Sequence, residues 1–430
     1  MKYAPIDNSL FIKNRKNLAK EMKPNSIAIL NSNDIMPTSA DGVMPFKQHS
    51  DIFYLSGINQ EESVLVVFPD AREEKHREIL FLKETSELIA IWEGAKYTKQ
   101  QARETSGVPT VYWLSSMNDV LTRLVYEAER IYLNTNEHLR AGEDVETRDA
   151  RFIKWCKEKF PLHEYERLSP IMHHLRVIKS ETEVELIKHA CGITKKGFER
   201  VLKFVKPGVW EYEIEAEMMH EFLRNRSRGS AYEPIIASGS DSCVLHYISN
   251  AKQCQDGDVL LMDFGAEYAN YASDLTRTIP VSGKFTERQK AVYNAVLRVM
   301  KQGIQMLVPG NNLIDYTADV QKIMEEELIE LGLFTAEDVK NQKRGKPLFR
   351  KYFMHGVSHH LGLDVHDYGS RARKFEDGMV FTCEPGIYIR EEGIGVRIEN
   401  DILINGNSPV DLMADIPIEA DEIESIMQNS

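Results

Sequence analysis

The sequence predicts two domains, an α/β domain over residues 1–172 and an α+β domain over residues 173–430. Two observations predict this division. Short apolar runs alternate with a helical pattern in the first part, whereas long amphipathic helices and paired strand-like runs fill the second. The texture changes near Pro170, and a chain of 430 residues is long enough for two or three domains.

The first domain combines short apolar strands with at least one helix. A helix is predicted over 117–129, where apolar residues recur every three or four positions. Strands are predicted over 27–32, 63–69, 78–83 and 130–134. Trp92 lies between the third and fourth of these strands, in IWEGA, where packing in the core is its ordinary role.

The second domain is predicted to begin with a helix that Ser180 caps. Glu183 stands three residues later, which is the spacing of a capping box, and an apolar stripe follows. Further helices are predicted around 211–226, 286–306 and 315–332. Two strand hairpins are predicted as well, over 258–281 and over 378–404.

Composition excludes several classes of function. The formal net charge is −13 and no long block of Lys and Arg is present, so nucleic acid is not an expected partner. No run of eighteen apolar residues occurs, and the amino terminus lacks an apolar core of secretory length. The five cysteines are scattered without a CxxC pair, which argues against a disulfide framework. We therefore expect a cytoplasmic protein without a membrane partner.

Four histidines and two aspartates are concentrated in Tyr352–Asp367, YFMHGVSHHLGLDVHD. His355 and His359 are separated by four residues, the spacing of one helical turn, and two glycines allow the backbone to bend. Neutral imidazole binds metal ions and also titrates near neutral pH. The cluster therefore predicts metal binding, proton transfer, or an ordinary surface or core cluster, and carboxylates elsewhere must decide between these.

Four carboxylates interrupt otherwise apolar strands. Asp263 follows VLLM, and Asp274 lies eleven residues later in the same predicted hairpin. If that hairpin turns between residues 268 and 269, the two aspartates are directly opposed, with Cβ atoms about 5 Å apart. Burial of unpaired carboxylates costs several kcal/mol, so a cation between them is favoured over one solvent-facing and one turn aspartate.

Glu384 and Glu399 repeat this pattern in the second hairpin. A two-residue turn at 391–392 would place the two glutamates opposite each other. Four carboxylates and one imidazole carry too much negative charge for one divalent ion but suit two. Oxygen ligands favour hard ions such as Mn²⁺, and two ions about 3.5–4 Å apart can share a hydroxide.

The motifs MDFG, ASDLTRT, HGVSHHLGLDVHD, CEPGIYI and VRIENDILI resemble, in order and spacing, the ligand motifs of the pita-bread metallopeptidases. Within that family the chain looks most like the aminopeptidase P, or Xaa-Pro aminopeptidase, group, and FKQHSDIFYLSGI in the first domain extends the resemblance. The resemblance implies a creatinase/prolidase-like α/β domain that serves oligomerisation and substrate access, followed by a pita-bread catalytic domain. The implied reaction is hydrolysis of the bond between an N-terminal residue and a following proline.

The resemblance also implies roles for particular residues. The metal ligands would be Asp263, Asp274, His359, Glu384 and Glu399, with two bound ions, Mn²⁺ foremost and Co²⁺ or Zn²⁺ as alternatives. The catalytic residues would be His246, His355, His366 and Glu384, and the substrate-binding residues would be Arg397, Tyr388 and Trp92. A hydroxide shared by the two ions would attack the carbonyl, with Glu384 accepting the proton. His360 matches no catalytic position and is interpreted as a residue that either supports the ligands or packs around the site.

Several alternatives share part of this pattern. A prolidase has the same ligands but cleaves only dipeptides that end in proline. Creatinase-like amidinohydrolases and metal-free pita-bread binding modules use the architecture without the five ligands, all of which are present here. We favour an aminopeptidase acting on peptides with proline in the second position. Trp92 resembles a residue that completes a neighbouring subunit's pocket, so a homo-oligomer, dimer or tetramer, is expected.

Overall fold

The computed structural model describes residues 2–142, 144–343 and 345–429, and these form two compact units. One unit is Pro5–Arg176, and the other contains the chain from Val177 onward together with its first residues. The boundary predicted at 172–173 lies within a helix, Ser169–Arg176, that ends the first unit. Pro170 does not interrupt the chain there, because it occupies the first helical turn, where its missing N–H has no partner to lose.

The first unit is an α/β structure built on one sheet, which confirms the predicted fold class. Its helices are α1 (Ser9–Glu21), α2 (Ser50–Ser56), α3 (Glu87–Glu93), α4 (Lys99–Ser106), α5 (Met117–Glu127), α6 (Arg148–Lys159) and α7 (Ser169–Arg176). Its strands are β1 (Ser26–Asn31), β2 (Val64–Val67), β3 (Glu78–Leu82), β4 (Thr110–Trp113), β5 (Arg130–Leu133) and β6 (Glu164–Arg167). They lie in the order β4-β3-β2-β1-β5-β6.

The core of the first unit follows from the apolar strand runs. Ile29, Val66 and Phe81, from the central strands β1, β2 and β3, are fully buried. The amphipathic helix α5 covers this face with residues such as Leu121 and Leu124. Central strands that are buried on both faces read as continuous apolar runs, which is why they could be recognised in the sequence.

The second unit combines long helices with short antiparallel strands. Its helices are α8 (Glu181–Phe204), α9 (Glu211–Arg224), α10 (Glu287–Gln305), α11 (Leu313–Glu330), α12 (Ala336–Lys340) and α13 (Ala420–Gln428). Its strands are β7 (Ile235–Ser238), β8 (Val259–Phe264), β9 (Glu267–Tyr268), β10 (Tyr271–Ala272), β11 (Leu275–Pro280), β12 (Val380–Cys383), β13 (Gly386–Ile389), β14 (Ile394–Arg397), β15 (Asn400–Leu403) and β16 (Val410–Asp411). The capping box predicted at Ser180 and Glu183 is present at the start of α8. None of the helices described has the length and apolar character needed to cross a bilayer.

The first acidic hairpin turns one residue later than predicted. Its turn is Ala269–Asn270, and both residues have positive φ, as a type I′ turn requires. Because the turn centre moves by one residue, Thr276 rather than Asp274 pairs with Asp263. The prediction that the two aspartates are directly opposed is therefore wrong.

The second acidic hairpin has the predicted register. The pairing of β12 with β15 and of β13 with β14 keeps one register on both sides of Glu384 and Glu399, which places the two glutamates opposite each other. A bridge between Thr276 and Glu399 then joins β11 to this hairpin. The two acidic hairpins of the second unit therefore meet.

Candidate metal centre

Carboxylates and one imidazole converge where the two hairpins meet. Asp274, His359 and Glu399 each present a ligand atom, and these atoms all lie within 4.8 Å of one another. Asp263 joins them through Tyr232, whose hydroxyl lies 2.7 Å from its Oδ1 and 2.5 Å from Oδ1 of Asp274. Glu384 approaches from the second hairpin, with Oε1 3.9 Å from Nε2 of His359. The five side chains predicted as ligands thus form one cluster.

The histidine segment is extended along β12, not helical. His359 and Thr382 of β12 exchange hydrogen bonds, with the N–H of Thr382 donating to the His359 carbonyl at 3.0 Å and the His359 N–H donating to the Thr382 hydroxyl at 3.2 Å. The ring nitrogen Nδ1 of His359 lies 3.0 Å from the carbonyl of His360. A carbonyl only accepts, so Nδ1 carries a hydrogen and Nε2 is directed at Oδ2 of Asp274, 3.4 Å away.

Burial resists ionisation of the acidic cluster. Burial raises the pKa of Asp274, of Glu399 and of Glu384, the last to about 7, and repulsion between the carboxylates adds to the rise. Burial alone would lower the pKa of His359. Its hydrogen bond to Asp274 and the charge of Glu384 outweigh burial and raise that pKa to about 9.

The donor chemistry of the cluster fits divalent cations. Asp274 and Glu399 are only 4% and 2% exposed, so water cannot stabilise their charges. Arg397 donates to Asp263 at 2.5 Å but makes no hydrogen bond to the other three carboxylates in the described part of the chain. A positive ion is the group that would let these carboxylates ionise together. Oxygen donors with one imidazole are the ligands that hard divalent ions prefer.

A hydrogen-bonded chain runs from His355 through Tyr388 and Arg397 to Asp263. The Tyr388 hydroxyl lies 2.8 Å from Nε2 of His355 and accepts from Nη1 of Arg397 at 2.9 Å. Nδ1 of His355 lies 2.6 Å from the Gly356 carbonyl and so carries a hydrogen, which leaves Nε2 to accept from Tyr388. Burial and the charge of Arg397 lower the pKa of His355 to about 3, and its ring is therefore neutral.

The remaining predicted site residues differ in their surroundings. His366 is exposed, and its ring centroid lies 4.4 Å from that of His359. His246 is also exposed and is close enough to His355 to affect its pKa. Trp92 lies on α3 of the first unit and is 82% exposed, so it does not pack in that unit's core. His360 is buried with its ring 4.3 Å from that of Phe381, which is the packing role predicted for it.

Three polar residues that sequence reasoning missed support the cluster. Tyr232 contacts two of the aspartates, and the Thr276 hydroxyl donates to Oε2 of Glu399 at 2.6 Å. Asp401 accepts the backbone N–H of Asp274 at 3.0 Å. The only available signal was a polar residue within an apolar strand, as in LTRTIP and NDILI. Tyr232 lies outside the strands and carried no such signal.

Known proteins share both parts of the chain. Residues 185–406 match Metallopeptidase family M24, and residues 11–132 match Aminopeptidase P, N-terminal domain. An Xaa-Pro aminopeptidase of Escherichia coli strain K12 is 34% identical, with 98% of each chain covered. Two solved structures from the same organism, aminopeptidase P with the inhibitor Pro-Leu and a zinc-substituted aminopeptidase P in complex with product, have TM-scores of 0.89 and 0.87, each at 33% identity with 99% of both chains covered. These findings confirm the resemblance predicted from the five motifs: the chain belongs to metallopeptidase family M24, with an N-terminal domain of the aminopeptidase P type.

Proposed function

We propose that this chain is a metal-dependent aminopeptidase that hydrolyses the bond between an N-terminal residue and a following proline. The cluster of Asp274, His359 and Glu399 carries the proposal, because it sits in a chain similar over its whole length to Xaa-Pro aminopeptidases. The same relatives favour this activity over that of a prolidase. The complete set of five candidate ligands argues against a metal-free binding module.

The five clustered side chains would hold two divalent ions, with Mn²⁺ the first candidate and Co²⁺ or Zn²⁺ the alternatives. Bound ions of this kind polarise a substrate carbonyl and acidify water. Asp274 and Glu399 are the most deeply buried of the four carboxylates, so bound ions would be the main compensation for their charges. The zinc-substituted relative supports a ligand set that accepts more than one metal.

Glu384 is the residue that we assign to proton transfer. Its Oε1 lies 3.9 Å from Nε2 of His359, within the cluster, where the carboxylate can accept a proton from the attacking water and return it. As the bond from water oxygen to carbonyl carbon forms and the carbon–nitrogen bond breaks, that proton passes to the leaving imino nitrogen. His366 and His246, both exposed, are assigned to the oxyanion and to the leaving group.

Recognition of proline requires contacts with its ring, because proline has no N–H to donate. We assign these contacts to the neutral imidazole of His355. The Tyr388 side chain, predicted to bind substrate, is fully buried and cannot touch the ring of proline, so it acts through its hydrogen bond to His355. Nη1 of Arg397 donates to the Tyr388 hydroxyl at 2.9 Å and so fixes the position of Tyr388. Tyr388 and Arg397 therefore hold the His355 ring in a fixed orientation toward the substrate.

The test compares peptides that differ only at the carboxyl side of proline. We expect hydrolysis of Xaa-Pro-Pro and slight or no hydrolysis of Xaa-Pro, with loss of activity in EDTA and recovery on addition of Mn²⁺. Cleavage of Xaa-Pro alone would instead establish a prolidase. His359→Ala and Glu384→Ala should each abolish hydrolysis, and turnover at the wild-type rate in either variant would contradict the dinuclear mechanism.

We also propose that the protein is a homo-oligomer, a dimer or tetramer, in which Trp92 of a neighbouring subunit lines the peptide pocket. On α3 the apolar residues Leu88, Ile91 and Trp92 are 66%, 77% and 82% exposed. Their spacing places them on one face of the helix. An exposed apolar face of this kind is typical of a contact with another chain. The first unit would then serve both oligomerisation and substrate access.

A cytoplasmic location is the last part of the proposal. The five cysteines are free and buried, which suits a reducing compartment. Fractionation of expressing cells should recover the protein with cytoplasmic markers. Recovery with extracytoplasmic markers would contradict this location.

A further inference from the structure

A buried ion pair lies behind the loop that carries His359 and His366. Nζ of Lys179 is 3.2 Å from Oδ2 of Asp367, and each side chain is only 1% exposed. Neither charge is used in the proposed mechanism. Two charges removed from water gain little net stability from each other, so a buried pair is better explained by the geometry it imposes.

Asp367 holds the carbonyl that orients His359. The N–H of Asp367 donates to the carbonyl of His360 at 2.9 Å. The same carbonyl accepts Nδ1–H of His359 at 3.0 Å. A shift of Asp367 would therefore move this carbonyl and release the imidazole from the orientation that directs Nε2 toward Asp274.

Lys179 is held by a backbone hydrogen bond next to β12, the strand that pairs with His359. Its backbone N–H donates to the carbonyl of Gly378 at 2.8 Å, just before β12 begins. Nζ also lies 3.5 Å from the carbonyl of Val177. The position of Lys179 is therefore fixed, and its ammonium group can hold the carboxylate of Asp367 in place.

The ion pair is also packed against the first acidic hairpin. A Cβ atom on Gly362 would lie 2.1 Å from Oδ2 of Asp367 and 2.9 Å from Cε of Lys179, so a side chain at this position would displace the ion pair. The carbonyl of Gly362 accepts the N–H of Ala272 at 2.8 Å, two residues before Asp274. The pair thus lies between two segments that carry candidate ligands.

We infer that Lys179 and Asp367 are positioning residues for the metal centre. Their ion pair fixes the loop so that His359 presents Nε2 to the carboxylates and His366, adjacent to Asp367 in the chain, stands beside it. The roles of His359 and His366 rest on the proposed function. Loss of the pair should weaken metal binding and slow turnover, while the affinity for peptide changes little.

The experiment compares Lys179→Met, Asp367→Asn and the double variant Lys179→Met/Asp367→Asn. A single replacement removes the ion pair but keeps one buried charge and can prevent folding, whereas the double variant removes both charges of the pair. Calorimetric titration of dialysed full-length protein with Mn²⁺ should show affinity about 10–100-fold weaker in the double variant. The visible spectrum of the Co²⁺-loaded protein should change, and kcat on Xaa-Pro-Pro should fall with KM nearly constant.

Asp51→Asn/Arg176→Met is the matched control, because it also removes both charges of a buried pair. Asp51 pairs with Arg176 at 2.8 Å, and both side chains are 1% exposed, but this pair belongs to the first unit. The control should lose thermal stability and keep its Mn²⁺ affinity. A folded double variant with wild-type Mn²⁺ affinity and Co²⁺ spectrum would overturn the inference, as would an equal loss of affinity in the control. A wild type that hydrolyses no proline peptide, together with the expected metal effects, would contradict the proposed function and support the positioning role.

Discussion

Tyr232 is a neutral residue that organises two acidic ones. Its hydroxyl contacts Oδ1 of both Asp263 and Asp274, and burial raises its pKa well above the ordinary value, so it remains protonated. One hydroxyl hydrogen can be donated to only one of the two carboxylates at a time. The residue therefore holds both carboxylates in place through Oδ1, while Oδ2 of Asp263 accepts from Arg397 and Oδ2 of Asp274 faces Nε2 of His359.

Tyr232→Phe should weaken Mn²⁺ binding by about 10–100-fold, because groups that orient metal ligands typically contribute that much. Titration calorimetry measures the change. Tyr293→Phe is the control, since Tyr293 lies in the same unit and donates its hydroxyl to the carbonyl of Ile418. Wild-type affinity in Tyr232→Phe, or the same loss in the control, would contradict the role assigned to Tyr232.

Glu384 should make the metal-free protein less stable as the pH rises. Its pKa is about 7 in the folded protein against an ordinary 4.5, so the folded state binds this proton more tightly than the unfolded state. The stabilisation is complete below about pH 4.5 and is lost as the pH rises through about 7. Between about pH 5 and 8, calorimetry should show a steeper fall in Tm for the metal-free wild type than for Glu384→Gln. Parallel curves would contradict this assignment.

At the scale of elements, the two acidic hairpins differ in how far sequence could predict them. Glu384 and Glu399 follow strict alternation around a short turn, so their register could be counted along the chain. The turn at Ala269–Asn270 lacks the glycine that usually marks a type I′ turn. A shift of one residue in its centre changed the partner of Asp263 by two positions.

In the histidine segment, too, the spacing of residues alone could not predict the conformation of the backbone. A separation of four residues between His355 and His359 is compatible with a helix, but the segment pairs with β12 through backbone bonds at Val357, His359 and Leu361. Those bonds depend on β12, which begins only at Val380, so the local spacing of the histidines does not predict them. The identity of the ligands could be predicted because charge within apolar strands is a local signal.

The turn of the first hairpin allows a direct test of backbone strain. Asn270→Ala and Asn270→Gly both lose the bond from Arg228 and differ only by a Cβ atom at a φ of 66°. The glycine variant should be more stable by about 1 kcal/mol in urea unfolding. At Ala272, which lies in extended strand β10, glycine should instead be less stable than alanine by at least about 0.5 kcal/mol. If the glycine variant were less stable than the alanine variant at position 270 as well, the turn would not be strained.

At the scale of the molecule, the sequence predicts two units because the pattern of apolar residues differs between them. The sequence did not predict the exact residue at which the units divide. Pro170 suggested an interruption, yet α7 continues past it to Arg176, which pairs with the buried carboxylate of Asp51. That contact joins residues more than a hundred positions apart and has no local signature. The exposure of Trp92 was likewise beyond sequence reasoning, because tryptophan is ordinarily a packing residue.

Trp92→Ala tests whether the subunits complete each other's sites. If the exposed face of α3 forms the subunit contact, the variant should dissociate, with its mass measured by light scattering. Its kcat/KM on Xaa-Pro-Pro should fall at least about tenfold, because a central aromatic often dominates an interface. Mn²⁺ affinity should stay constant, since the candidate ligands belong to the other unit.

Leu162→Ala is the control, at a 97% exposed position that lies in the first unit with Trp92 but outside α3, and it should change neither mass nor activity. An unchanged mass in Trp92→Ala would contradict the interface, and a monomer with full activity would contradict the shared pocket.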